Sequence, residues 1–182
     1  MDPPVVPRER LDDWRRVAET TDRPFAAGPV SVTAGTVRYE RTAAPPPRPF
    51  FFASRLRIRP ETAPNAALTR LVERRARSGF RDRLAERHIE SVEHRGDREI
   101  SVSDPNASRA TLSTYRGACR STDGTDPVPV EALLAVWEAG EYLLAGGAYP
   151  LSAGPVDADA ARRELLALIR GVRPTAERDS DP

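Results

Sequence analysis

Residues 50–58, FFFASRLRI, constrain the fold more than any other stretch of this chain. Phe50, Phe52, Leu56 and Ile58 share one side at a period of two, with Ser54 between them. Arg55, Arg57 and Arg59 alternate on the other side, and Pro60 ends the run. That period belongs to a β-strand whose successive side chains point to opposite faces. Three guanidinium groups inside an apolar core would carry a prohibitive desolvation cost. The arginine face is therefore expected either to stay wet or to meet acids such as Glu138 and Glu141. A sheet with one wet face would offer a docking surface.

The neighbouring segments supply what packs on that strand. Pro7 to Glu19 reads as a short helix, with Leu11, Trp14, Val17 and Ala18 on one side. Residues 29–41, PVSVTAGTVRYER, are rich in β-branched residues and read as a strand bent near Ala34-Gly35. AAPPPRP (43–49) is a stiff connector. A helix is expected from about Pro64, with Leu68, Leu71, Val72 and Ala76 as its buried stripe. Ser78-Gly79 is expected to interrupt it before Phe80 and Leu84. Residues 90–103 read as a hairpin about Arg95-Gly96-Asp97, and 109–120 as a further strand. VPVEALLAVWE (128–138) and EYLLAGGAY (141–149) form two strands joined at Ala139-Gly140. Asp157 to Gly171 is a helix that Asp157 or Asp159 can cap.

Consecutive strands with flanking helices predict an α+β domain: one antiparallel sheet in a helix-flanked sandwich. Its buried face should carry Phe52, Leu56 and Ile58, covered by helices bearing Leu68, Leu71, Leu165 and Ile169. Three parts are expected: an N-terminal helical segment (1–28), a single α+β domain (29–173) and a disordered tail (174–182). The element order, with FFFASRLRI before the first main helix and DAARRELLALIRGV as the last, resembles the Mog1/PsbP-type fold over about residues 29–173. The resemblance implies a partner-binding module more than an enzyme. Members of that group bind a small GTPase or a photosynthetic complex.

Composition narrows the chemistry. All 28 basic residues are arginine. Without lysine there is no Schiff-base amine and no P-loop cation. Arginine pairs and clamps; it does not act as an ordinary base. A lysine-free chain rich in Ala, Arg, Pro, Asp and Gly is the style of a GC-rich genome such as a halophilic archaeon's, although a net charge of +1 departs from the acidic habit of halophiles. A single cysteine requires no oxidising compartment. No apolar run approaches the roughly 18 residues of a membrane span, and MDPPVVPRERLDDW lacks the build of a secretory leader. A cytoplasmic protein is the expectation. Charge is segregated: residues 38–120 hold 18 Arg against 10 acids, and residues 121–182 hold 5 Arg against 11.

The candidate sites follow from these residues. Arg70, Arg74, Arg77 and Arg81 fall at i, i+4, i+7 and i+11, one stripe if the helix continues through Gly79. With Arg55 and Arg57 they are the candidate partner-binding residues. An acidic protein is the expected partner and nucleic acid the alternative, since aromatics free to stack on bases are few. Solvated surface and intramolecular pairing, as between Glu73 and Arg77, compete with both. A hydrolase or metal enzyme would have to use His88, His94 and Cys119. On a strand, His88, Glu90 and His94 would face the same way, but their spacing matches no zinc motif. The expectation is a non-enzymatic binding or structural domain with no cofactor and no metal.

Overall fold

The computed structural model describes residues 1–27, 30–61, 65–104, 107–120, 126–152 and 157–175. A 3-10 turn at Arg8–Arg10 precedes β1 (Arg15–Ala27), β2 (Val30–Glu40) and β3 (Phe50–Arg59). Helix α1 (Ala66–Ala85) follows, then β4 (Ile89–Asp104), β5 (Ala107–Cys119), β6 (Val128–Glu138) and β7 (Tyr142–Pro150), and last α2 (Ala158–Gly171). The strands form one seven-stranded sheet in the order β1-β2-β3-β7-β6-β5-β4. Every pairing is antiparallel.

The expected helix-flanked α+β sandwich is thereby overturned. The fold is β-rich: strand residues outnumber helical ones by more than two to one, and each helix covers only part of one face. The helices also do not share a face. Phe51, Ala53, Leu133 and Leu143 pack with Leu165, Leu168 and Ile169 of α2. Phe50, Phe52, Tyr115 and Leu134 pack with Val72, Phe80 and Leu84 of α1. The FFF triplet explains this, because consecutive strand residues point to opposite faces and all three rings are buried.

Three local expectations need correction. The Pro7–Glu19 helix is absent: Arg8–Arg10 is a short 3-10 turn, and Arg15 to Glu19 begin edge strand β1, which is held by ten paired positions on β2. Val17, a member of the supposed apolar stripe, is 47% exposed. Helix α1 runs unbroken through Ser78-Gly79, and the side chain of Asn65 caps its start by accepting from the N–H groups of Ala67 and Leu68. The 90–103 hairpin is a single strand, β4, whose partner is β5. Gly96, at φ 149°, marks a register shift within β4, not a turn. On the arginine face of β3, the second of the two expected outcomes holds at Arg55, which meets an acid. Arg55 is 7% exposed and its Nε pairs with Glu141, while Arg57 is half-buried.

Other elements match their sequence signals. Strand β2 carries the β-branched run in unbroken register with β3, and two register shifts lie opposite it in β1, between Arg16 and Ala18 and between Asp22 and Phe25. The β6–β7 hairpin turns at Gly140, φ 77°. Asp157 caps α2 by accepting from the N–H of Asp159. The glycine pair in β7 has a packing reason: a Cβ on Gly146 would come within 2.6 Å of the Leu133 carbonyl oxygen, and one on Gly147 would collide with that of Phe50. The N-terminal segment belongs to the same body. Trp14 is buried and donates its indole N–H to Glu164 of α2 at 2.7 Å, and Val5 pairs with Arg173. Of the expected tail, Thr175 donates to the Pro3 carbonyl, and 176–182 lie outside the described residues. No helix among the described residues is long and apolar enough to cross a membrane.

Candidate functional site

The helix stripe exists but is partly engaged within the chain. Arg70, Arg74 and Arg81 are exposed on α1. Arg77 pairs with Asp97 at 3.0 Å, and the guanidinium of Arg81 lies 5.8 Å from the centre of the Tyr115 ring. Arg55 and Arg57 belong to β3, whose arginine side faces α2 with Phe51 and Ala53, so the structure does not join them to the stripe.

His88, His94 and Cys119 do not converge. His94 stands opposite Tyr115, whereas Cys119 stands opposite Ile89. Four strand positions separate them along β5, about 13 Å at ~3.3 Å per residue. His88 sits at the entrance to β4 with φ 59° and is exposed. Burial pushes the Cys119 thiol up, which opposes the thiolate that a nucleophile needs. Glu90 pairs with Arg120. Among the described residues no group of three or more His, Cys, Asp and Glu could hold a metal ion.

His94 instead joins a small polar cluster under α1. Its Nε2 lies 2.8 Å from Asp97 Oδ1, and the same oxygen accepts from Ser113 at 2.6 Å. Burial on its own raises the Asp97 carboxyl. The hydrogen bonds from Ser113 and His94, with the charge of Arg77, reverse that and leave it below its ordinary 3.8. A carboxyl depressed in the folded state contributes stability that is full above the unfolded value and lost as pH falls through the folded one. Asp97→Asn is therefore expected to flatten the melting temperature against pH below about pH 4. An unchanged acid limb in the variant would show that this cluster does not drive the pH dependence.

The densest convergence of charge lies on the other face. Strand β6 alternates Leu133, Ala135 and Trp137 toward α2, and Glu131 falls at the same parity. The pattern thus carries a carboxylate inside, where it is 2% exposed. Its three donors are placed by register and by α2. Arg116 lies directly opposite on β5, with its Nε and a terminal nitrogen each 3.0 Å from Oε2. Tyr149, opposite on β7, donates its hydroxyl to Oε1. Arg162 reaches down from α2 to the same oxygen. A buried carboxylate needs such partners to remain charged. Desolvation pushes the Tyr149 hydroxyl up to about 12, against a smaller lowering by Arg116, so it stays a donor.

Above this carboxylate opens a cleft of about 490 Å³ lined by Arg95, Arg98, Arg116 and Arg162. Asp97 also contributes to the lining, but its carboxylate is engaged by Ser113, His94 and Arg77, and Arg95 is 3.2 Å from Glu93. Arg116 and Arg162 therefore share one carboxylate, and Arg98 lines the same cleft as a third positive charge. Desolvation first, and then the charges of Arg98 and Arg116, hold the Arg162 guanidinium below its ordinary range. Such a cluster has spare N–H donors and excess positive charge, the requirements for gripping a phosphate or carboxylate. None of these residues was among the sequence candidates. The available signal was Glu131 itself, the one acid inside the apolar run 128–137.

Comparison with known proteins identifies a family. The model of the family described as "Domain of unknown function (DUF6517)" matches residues 3–173, and the chain belongs to that family. No curated protein and no solved structure matches it. None of the comparisons names a Mog1/PsbP fold.

Proposed function

For this member of the DUF6517 family, we propose a non-enzymatic binding domain that holds an anionic group of its partner in the cleft between β4, β5, β6 and α2. The observation that carries the reading is a cleft in which Arg116 and Arg162 share a single buried carboxylate while Arg98 adds a third positive charge to the same lining. An acidic protein segment fits better than a nucleic acid, because the cations form one concave cluster and not a track along a backbone. A cytoplasmic setting goes with this reading, supported by the single cysteine.

A titration tests it. Inorganic phosphate and a short acidic peptide are expected to bind the parent saturably, followed by amide shifts on β5 and β6. Arg98→Gln with Arg162→Gln should weaken both by about tenfold or more, the order lost when charge-assisted hydrogen bonds are removed. Binding of either ligand unaffected by the pair would refute the site. Single-stranded DNA binding more tightly than the peptide, with a salt slope near one unit per lost phosphate contact, would favour nucleic acid.

A second reading rests on the unbroken α1, which aligns Arg70, Arg74, Arg77 and Arg81 as the sequence spacing requires. Exposed Arg70 and Arg74 support an acidic protein partner there. Changing all four to Gln, with the cleft intact, assigns peptide binding to one surface or the other.

A further inference from the structure

Helix α1 connects β3, in the middle of the sheet, to β4 at its far edge. It packs against β4 and β6, and the β1–β3 half of that face lies beside it. That half carries Val32 and Ala34 on β2 and Leu56 and Ile58 on β3, beside the polar Asp22, Thr36 and Ser54. The helix turns Leu68 and Leu71 toward it, and Leu71 is 42% exposed. Between them lies a cavity of about 350 Å³, within the usual size of small-molecule sites, roughly 300–1,000 Å³.

Its shape and chemistry restrict the occupant. The cavity follows β3 from Phe52 to Ile58, six residue steps or about 20 Å at ~3.4 Å each. The Thr36 and Ser54 hydroxyls in its lining bond each other at 2.8 Å, so they make no demand on a ligand. A peptide laid here would leave its own N–H and C=O groups without partners, whereas a hydrocarbon chain needs none. Arg75, Arg83, Asp22 and Asp82 supply the charges of the lining; Arg83 lies over the Phe52 ring, 5.0 Å from its centre, with Arg38 as a like-charged neighbour. Among the described residues no carboxylate comes within ion-pair distance of Arg83, although Asp22 and Glu86 act on it from farther away.

We propose that this cavity binds a single-chain amphiphile with an anionic head, a fatty acid being the simplest, with the chain along β3 and the carboxylate at Arg83. The site is separate from the arginine cleft, which lies on the opposite face of the sheet.

Laurate and dodecanol, titrated in parallel and followed by methyl NMR, test the assignment. Laurate is expected to bind one to one and shift the methyl groups of Leu56, Ile58, Leu71 and Leu144. Dodecanol should bind about tenfold more weakly, for want of the charge-assisted contact. Arg83→Gln should erase that preference while leaving dodecanol binding intact, a readout independent of fold damage. Ala76→Trp, checked by circular dichroism for an unchanged fold, should block both ligands by filling the cavity. Absence of saturable laurate binding, a preference that survives in Arg83→Gln, or shifts confined to the arginine cleft would each overturn the proposal.

Discussion

Phe51→Ala is expected to cost about 4 kcal/mol, within the usual range for truncating a buried phenylalanine. The ring is 0% exposed and meets Trp14 edge-on at a centroid distance of 6.4 Å and Tyr39 at 6.0 Å. It belongs to the apolar layer that joins β3 to α2 and to the N-terminal segment. Truncation would leave a cavity where three parts of the chain meet, and rigid strands on both sides limit collapse. Whole-domain stability is typically about 5–15 kcal/mol, so the variant should be close to its limit. In a chain of this length the midpoint should fall by roughly 8–16 °C. Urea unfolding gives the free energy. A loss under about 1 kcal/mol would mean that α2 does not cover this face as described.

Glu131→Ala is expected to cost about 3 kcal/mol, the low end for breaking a buried ion pair. Tyr149, Arg116 and Arg162 would lose their common acceptor. The Arg162 side chain is 29% exposed and that of Arg116 is 51% exposed. Both can therefore turn partly to water, which keeps the loss from being larger. Glu131→Leu should recover part of it by filling the space with apolar volume, as buried ion pairs often allow. If the alanine and leucine variants are as stable as the parent, the carboxylate is not held as the structure shows.

Sequence periodicity revealed those elements whose burial pattern is regular. The Phe50–Arg59 strand, the β6–β7 hairpin with its positive-φ Gly140, and the Asp157-capped α2 each pair a clear period with a clear stop. It failed where tertiary pairing decides. Trp14 and Val17 share a helical spacing, yet one is buried against α2 and the other lies 47% exposed on an edge strand. Gly96 resembles a turn glycine but sits at a register shift inside β4. The candidate sites were harder still to read. Arg98, Arg116, Glu131, Tyr149 and Arg162 come from four strands and a helix, and no local window holds their spacing. The α1 stripe was legible because one helix carries it, but not that Arg77 would pair with Asp97 across the fold.

The binding reading rests on spare positive charge around Glu131, and one comparison tests it by sign. Inorganic phosphate affinity is measured by calorimetry at low salt for the parent, for Glu131→Gln, and for the Arg98→Gln, Arg162→Gln pair. Removing the competing carboxylate should tighten phosphate roughly tenfold, the effect of one unit charge some 6 Å away at an effective dielectric near 40. Removing the two guanidiniums should weaken it by about as much or more. Opposite signs are what an anion site in this cleft requires. Equal affinities in all three proteins would mean that the arginines serve only to hold Glu131 in place, and would contradict the account.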